Sequence, residues 1–226
     1  MGRLATGSVA LDEFETDAVG ELLNVAVAKS AVALSRMVGH TVSMSVPVVR
    51  MLPRDDALAM IEGGESSSLI AIGEQFSGPF SGSALLVFPE ARSLRLVQAI
   101  IDEHMLLEDI AELAEEAMLE VGNVILNSCL SGMANMLKCR IEATLPTCYQ
   151  GTGEQIFQRT IRDSHDGSIL FMSIDFSIRN RDVGGYIVLI LDLNAIANMR
   201  EALHAYAAGL VGPQPDGPPP DSPSAG

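Results

Sequence analysis

The chain has 226 residues, enough to bury a full hydrophobic core in one large unit or two small ones. Hydrophobic residues make up 48% of it and charged residues 19%, without tryptophan, which excludes disorder throughout and predicts an aliphatic, methionine-containing core. The formal net charge of -15 repels phosphate backbones and anionic lipid, so nucleic-acid and membrane-surface binding are disfavoured.

Membrane insertion and secretion are not expected. The longest purely apolar runs, residues 84–88 and 187–191, are far shorter than the roughly 20 residues that a membrane-spanning helix needs. The N-terminus holds one arginine and no apolar segment of the secretory type, which predicts a cytoplasmic protein. Cys129, Cys139 and Cys148 lack C-x-x-C spacing, so we expect reduced thiols rather than disulfides or zinc ligands.

The first half of the chain predicts a long helix, one strand, a short helix, two strands and a closing helix. The long helix covers residues 17–38, and an alternating strand ending in proline follows it over residues 41–47. The remaining elements are a helix over 55–61, strands over 67–72 and 83–88, and a helix over 91–102.

The second half predicts the same elements in the same order. These are a helix over 116–137, a strand over 141–146, a short helix over 154–160, strands over 168–177 and 186–191, and a helix over 195–207. Two repeats of this kind, each α-β-α-β-β-α, would most economically pair their strands into one sheet flanked by helices. The sequence therefore predicts a single α+β domain with pseudo-two-fold symmetry.

The domain is expected to cover residues 11–207, with repeat one over about 11–105 and repeat two over about 109–207. Residues 1–10 are predicted to be a flexible N-terminus. Residues 208–226 are rich in proline and hold almost nothing that could pack, which predicts a disordered tail.

One polar segment occurs in both halves. Asp17-Ala-Val-Gly-Glu21-Leu-Leu-Asn24 returns 99 positions later as Glu116-Ala-Met-Leu-Glu120-Val-Gly-Asn123. In both copies 22 residues separate the asparagine from a proline, Pro47 or Pro146. The chain therefore repeats a spaced pattern as well as a set of elements.

The three polar residues of each copy are expected to share one helix face, because positions i, i+4 and i+7 lie within about 60° of one another. The residues of the opposite face are almost all apolar and are expected to enter the core. They are Val19, Leu22, Leu23, Ala26, Ser30, Ala33, Leu34 and Met37 in the first copy, and Met118, Val121, Ile125, Cys129, Met133 and Met136 in the second.

Two interpretations of this polar face are open. A carboxylate and an asparagine on an exposed helix are ordinary solvated side chains, and duplication can preserve letters without function. The residues that continue the face carry no charge, however, which is unusual for a solvated helix and favours a docking surface. They are Ala28, Ala31 and Val32 in the first copy, and Asn127, Leu130 and Ser131 in the second.

The pattern Asp/Ser-x-x-x-Glu-x-x-Asn-x(22)-Pro resembles the signature of the CheC, CheX and FliY phosphatases of bacterial and archaeal chemotaxis. Within that group the chain most resembles CheC, because it carries the pattern twice. Asp17, Glu21, Asn24 and Pro47 match the pattern, as do Glu120, Asn123 and Pro146, whereas Glu116 stands where the pattern has Asp or Ser. The segment FSGPFSGSALLVFPE also resembles the family, and the resemblance covers about residues 11–207.

This resemblance implies hydrolysis of the aspartyl phosphate on a CheY-type response regulator. Asn24 and Asn123 would orient the attacking water, and Glu21 and Glu120 would pair with the regulator's active-site lysine. Asp17 and Glu116 would support that glutamate or the interface, while Pro47 and Pro146 would have a structural role. The regulator is expected to supply its own Mg²⁺, and we expect this chain to bind no cofactor.

Two other functions are compatible with the sequence. The chain could act as a non-catalytic adaptor that binds the receptor deamidase CheD or a response regulator. It could also be a flagellar switch component related to the FliM middle domain, although such a protein is not expected to carry the motif. The four histidines, His40, His104, His165 and His204, have no ligand spacing and are interpreted as structural.

Overall fold

The computed structural model of the chain describes residues 11–62, 68–101, 110, 113–160, 168–178, 181–191 and 193–210. The predicted flexible N-terminus and the predicted tail beyond residue 210 lie outside the described residues, as do His104 and His165.

Six helices and eight strands occur in these residues. The helices are α1 (Glu13–Val38), α2 (Arg54–Glu62), α3 (Glu90–Ile101), α4 (Ala114–Met136), α5 (Gly153–Thr160) and α6 (Leu193–Leu210). The strands are β1 (Val42–Met44), β2 (Val48–Leu52), β3 (Leu69–Ser77), β4 (Gly82–Pro89), β5 (Glu142–Ala143), β6 (Thr147–Gly151), β7 (Ser168–Ile178) and β8 (Arg181–Leu191). The mixed α+β class predicted from the sequence is confirmed.

The strands form one antiparallel sheet with helices on both faces. Side chains alternate along β8, with Ile187 and Leu189 on the face of α1, α3, α4 and α6, and Val188 on the face of α2 and α5. Because both faces are covered, the central strands are apolar at nearly every position. This explains the short continuous apolar runs of the sequence.

The two halves exchange their first strands. The central order of the sheet is β7-β8-β4-β3. The first-half strands β1 and β2 pair with β7 of the second half, and β5 and β6 pair with β3 of the first half. The element order and the pairing are thus the same in both halves, while exact two-fold superposition stays a prediction.

The predicted single strand before each short helix is wrong in detail. Each half has two short strands there, so its order is α-β-β-α-β-β-α. Pro47 and Pro146 lie between these strands rather than at the end of one. A proline has no N–H to donate to the ladder, so the pairing is interrupted at that residue and resumes after it.

Helix α1 begins with a complete capping box. The Glu15 backbone N–H donates to the Asp12 carboxylate (2.8 Å), and the Asp12 N–H donates to the Glu15 carboxylate (2.9 Å). Among the described residues α1 is the helix long and apolar enough to cross a membrane by length and composition. Its apolar stripe, including Val19 and Leu23, is instead fully buried against the protein core.

Helices α1 and α4 pack closely side by side. A Cβ added at Gly132 of α4 would lie 2.6 Å from the Ala26 Cβ of α1, so only glycine allows this approach. The predicted buried stripes are confirmed for most positions. Met37 is an exception, since it lies at the exposed end of α1. Leu130, predicted on the outer face of α4, is buried in the core.

Helix α6 is fastened to the start of α1 by one buried carboxylate. Glu15 accepts hydrogen bonds from Arg200 Nε (2.8 Å) and lies 3.0 Å from His204 Nε2. Burial by itself would raise the pKa of Glu15, but the Arg200 and Asp12 hydrogen bonds and the Arg200 charge outweigh it, so the pKa lies below its usual value. The structural interpretation of His204 is in keeping with this contact.

Candidate functional site

The first polar triad lies on the outer face of α1. Asp17 and Glu21 are exposed, and Asn24 is half-buried one turn further along. The predicted common face is therefore present, because the residues between these positions turn inward to the core. A shallow groove continues the face past Asn24, lined by Ala28, Val32 and other residues of α1.

The second triad occupies the same positions on α4. Glu116 and Glu120 are exposed and Asn123 is half-buried. Here the asparagine has a close neighbour, because Asn127 Nδ2 donates to the Asn123 side-chain Oδ1 (2.6 Å) and to the Asn123 backbone carbonyl (3.0 Å). At the corresponding position of α1 the residue is Ala28, which has no polar side-chain atom.

Pro47 lies in a bulge of the sheet edge. Met44 pairs with Phe176 and Val48 pairs with Ser173, so three residues between them face two residues of β7. The Ser45 N–H donates to the Asp175 carbonyl, and the Asp175 N–H donates to Ser45 Oγ, both at 2.9 Å. The serine thereby satisfies the backbone donor that the interrupted ladder leaves free.

Pro146 lies in a bulge with the same construction. Ala143 pairs with Phe76 and Thr147 pairs with Gly73, so three residues again face two. The Thr144 N–H donates to the Gln75 carbonyl (2.9 Å), and the Gln75 N–H donates to Thr144 Oγ1 (3.1 Å). In both halves a hydroxyl residue two positions before the proline holds the bulge in place.

Each bulge exposes an apolar side chain directly before its proline. Val46 is 70% exposed and Leu145 is 88% exposed. Sequence reasoning missed these residues, although the pattern hydroxyl-apolar-proline at both sites was a readable signal. A large exposed apolar residue at the same place in two halves is typical of a surface that contacts another protein.

The first bulge lies beside the Asn24 region of α1. The Val42 N–H donates to Ser35 Oγ (2.9 Å) near the end of the helix, and Val49 Cγ2 is 3.9 Å from where a Gly20 Cβ would be. The edge strands thus run antiparallel to α1, and residues 46–47 fall between these contacts, alongside Asn24. Pro47 is buried there, which fits its predicted structural role.

Two buried titratable groups lie behind the second site and not on its surface. Glu74 is 3% exposed, and neither of its carboxylate oxygens has a hydrogen-bond partner among the described residues. Burial raises its pKa to about 7. Burial and the Glu74 carboxylate also raise the pKa of Cys129 to about 12, and Cys129 is a free, buried thiol as predicted.

The chemistry available on each helix face is limited to carboxylate and amide groups. In the described part of the chain no cluster of three histidine, cysteine or acidic residues could hold a metal ion. A carboxylate accepts hydrogen bonds from a cation, and an amide both donates and accepts. Such a face can bind a cationic group and orient a small polar molecule, but it contains no activated nucleophile.

No protein-family model matches the chain. It is 23% identical over 139 residues to the CheY-P phosphatase CheC of Bacillus subtilis, over 60% of this chain and 66% of that protein. It is 28% identical over 138 residues to the flagellar motor switch phosphatase FliY of the same organism, over 60% of this chain and 35% of that protein. The crystal structure of FliY from Thermotoga maritima matches with a TM-score of 0.70 at 19% identity, over 87% of this chain and 98% of that one.

The chain is thus similar in sequence to CheC and FliY proteins, and it shares the fold of FliY. The alignments span less than two thirds of the length of these curated relatives, so their activities are not carried over whole. The fold alone does not separate the family from switch proteins, since the FliM middle domain of Helicobacter pylori matches with a TM-score of 0.56 at 7% identity, over 85% of this chain and 99% of that one. A cytoplasmic location stays a prediction.

Proposed function

We propose that the chain removes phosphate from the aspartyl phosphate of a CheY-type response regulator, at two sites. The observation that carries this proposal is the duplicated arrangement of an exposed glutamate and a half-buried asparagine one turn apart on the outer face of a helix, followed in each half by a proline bulge at the edge of the sheet. The relation to proteins named as CheY-P phosphatases supports the same reaction.

A helper of this kind needs no nucleophile of its own. In the proposed step the water oxygen bonds to phosphorus, the bond from phosphorus to the aspartyl oxygen breaks, and both water protons leave with the phosphate, so the products are H₂PO₄⁻ and a free carboxylate. The uncatalysed reaction is limited by the placement of water in line with the leaving oxygen. A Mg²⁺ ion held by the regulator would stabilise the phosphoryl charge.

Asn24 and Asn123 are proposed to place that water. An amide oxygen accepts a hydrogen bond from water and leaves the water's lone pair free to attack. Both asparagines are half-buried on a long helix, so their backbone positions are fixed while their side chains remain accessible to a docked partner.

Glu21 and Glu120 are proposed to fix the docking register. Both carboxylates are exposed one turn before the asparagine, where each can accept a charge-assisted hydrogen bond from a lysine of the regulator. Asp17 and Glu116 lie one further turn away and are proposed to support this contact. Val46 and Leu145 would add apolar contact area beside the asparagine.

The test is phosphate release from a phosphorylated CheY-type regulator, measured with the wild type and the double variant Asn24→Ala/Asn123→Ala. We expect acceleration by the wild type that disappears in the double variant, with regulator binding retained. Gln158→Ala is the matched control, since Gln158 is an exposed amide on α5, at the opposite face of the sheet.

Other outcomes would decide between the alternatives. Hydrolysis that continues unchanged in the double variant would sink the amide mechanism. Binding without acceleration by the wild type would favour an adaptor, for a regulator or for CheD. Binding to neither, with binding to flagellar switch proteins, would favour the switch component.

A further inference from the structure

The two asparagines of the proposed function differ in how their side chains are held. Asn123 accepts a hydrogen bond from Asn127 at 2.6 Å. Within the described residues the Asn24 side chain has no hydrogen bond, and Ala28 occupies the position of Asn127. The surrounding backbone is the same regular helix in both cases.

The contact fixes which way both amides point. The Asn123 backbone carbonyl only accepts hydrogen bonds, so the group of Asn127 that lies 3.0 Å from it must be the NH₂. The same NH₂ then faces Asn123 Oδ1, which places the Asn123 Nδ2 on the far side. A pair at i and i+4 is the spacing at which helix side chains meet.

An amide whose orientation is already fixed is suited to the proposed step. Asn123 Oδ1 has a second lone pair that can accept a hydrogen bond from water. The orientation of the Asn123 amide is already set before the regulator docks. Ordering a free side chain on binding opposes association or reaction, and a side chain already ordered avoids that loss.

We propose that Asn127 is a positioning residue for Asn123, and that the second site therefore turns over faster than the first. This proposal rests on the proposed phosphatase function. Because an exposed helix pair of this type is a weak interaction, the expected effect on kcat is about three-fold.

The experiment isolates each site and then exchanges the supporting residue. Asn24→Ala leaves only the second site, and Asn127→Ala is added to it. Asn123→Ala leaves only the first site, and Ala28→Asn is added to that. Phosphate release from a phosphorylated CheY-type regulator is measured over a range of regulator concentrations to separate kcat from KM.

We expect Asn127→Ala to lower kcat about three-fold and Ala28→Asn to raise it about three-fold, with KM unchanged in both. Gln158→Ala is the control, because Gln158 is an exposed amide that makes an i, i−4 contact of the same kind, to Glu154 (2.8 Å), on α5 at the opposite face of the sheet. Side-chain NMR relaxation of the free protein gives a second readout. The Asn123 NH₂ should be more ordered than that of Asn24, and Asn127→Ala should remove the difference.

Each failure has a separate meaning. If the wild type and both single-site variants release no phosphate above the regulator's own rate, the proposed function falls and the catalytic role of Asn127 falls with it. If the second site works equally well with and without Asn127, or if only KM changes, the positioning role alone is wrong. Equal disorder of the two asparagines in the free protein would overturn it as well.

Discussion

The two candidate sites present the same polar positions but differ in what continues them. Past Asn24, α1 carries Ala28, Val32 and Arg36 on its outer side, whereas α4 carries Asn127, Ser131 and Asn135 at the corresponding positions. The first site is thus extended by apolar and basic groups and the second by neutral polar ones. The edge bulges beside the helices have the same construction in both halves.

The layer beneath the two helices differs too. By strand register Glu74 of β3 corresponds to Ile174 of β7, since each is the first residue opposite its bulge. The first site therefore lies over a purely apolar side chain and the second over a buried carboxyl group. The outward groups and the bulges are thus duplicated as one unit, while the core that supports them differs between the halves.

The largest effect is expected at the contact between α1 and α4, because both sites depend on it. Gly132→Val would push α4 away from Ala26 of α1, and overpacking at such a contact should cost about 3 kcal/mol of unfolding free energy. Urea denaturation measures that loss. Since both helices are displaced, phosphate release should fall in both single-site variants. Gln158→Val, at an exposed position of α5 on the opposite face of the sheet, is the control; a loss confined to one site would contradict the shared packing.

A smaller effect, on the pH dependence of stability, should distinguish the core beneath the second site from the core beneath the first. The pKa of Glu74 is raised to about 7 from 4.5, so the folded state holds this proton more tightly than the unfolded state. Its contribution to stability is fully present below pH 4.5 and is lost as the pH rises through about 7. Glu74→Ile should therefore stabilise the fold by about 3 kcal/mol more at pH 8 than at pH 4.

The measurement for Glu74 is unfolding free energy against pH between 4 and 8. Ile174→Glu is the reciprocal variant, and it should introduce the same pH-dependent loss under α1. A wild-type stability that does not decline between pH 5 and pH 8 relative to Glu74→Ile would show that the carboxyl group is solvated or paired.

The smallest effect concerns the exposed apolar residues of the bulges. Val46→Ser and Leu145→Ser, each tested with its own site active, should raise KM for the phosphorylated regulator up to about five-fold and leave kcat unchanged. Leu145 should show the larger change, because it offers more apolar surface. Leu113→Ser at the start of α4 is the control. An unchanged KM would remove these residues from the docking surface.

The elements that could be predicted from the sequence are those with a strong periodic pattern. The outer face of α1 follows from the spacing of Asp17, Glu21 and Asn24, and the core strands follow from their apolar runs. The extra strands β2 and β6 could not be predicted, because half-exposed edge residues such as Val48 and Thr147 lack a clear period. Pro47 and Pro146 suggested the end of a strand. At these residues the chain only interrupts its pairing with the neighbouring strand and then resumes it.

The polar contacts of the site and core were beyond sequence reasoning for a different reason. Asn123 and Asn127 are four residues apart in the sequence, which is the spacing at which helix side chains meet. Pairs of amides at this spacing are common on helix surfaces, so the spacing by itself did not indicate a functional contact. Glu15 and Arg200 are far apart in the chain, and nothing local marks Glu15 as buried. Only the packing of α6 against α1 brings them together.

The exchange of strands between the halves has a consequence for how the protein is made. Val42, on the edge beside the first site, pairs with Ile178. At an ordinary rate of translation its partner leaves the ribosome on the order of ten seconds later. Neither edge can be completed within its own half, so a nascent chain that has finished only the first repeat holds an open sheet. Both sites should therefore mature together, late in synthesis, and a chain cut between the repeats should yield no half-active product.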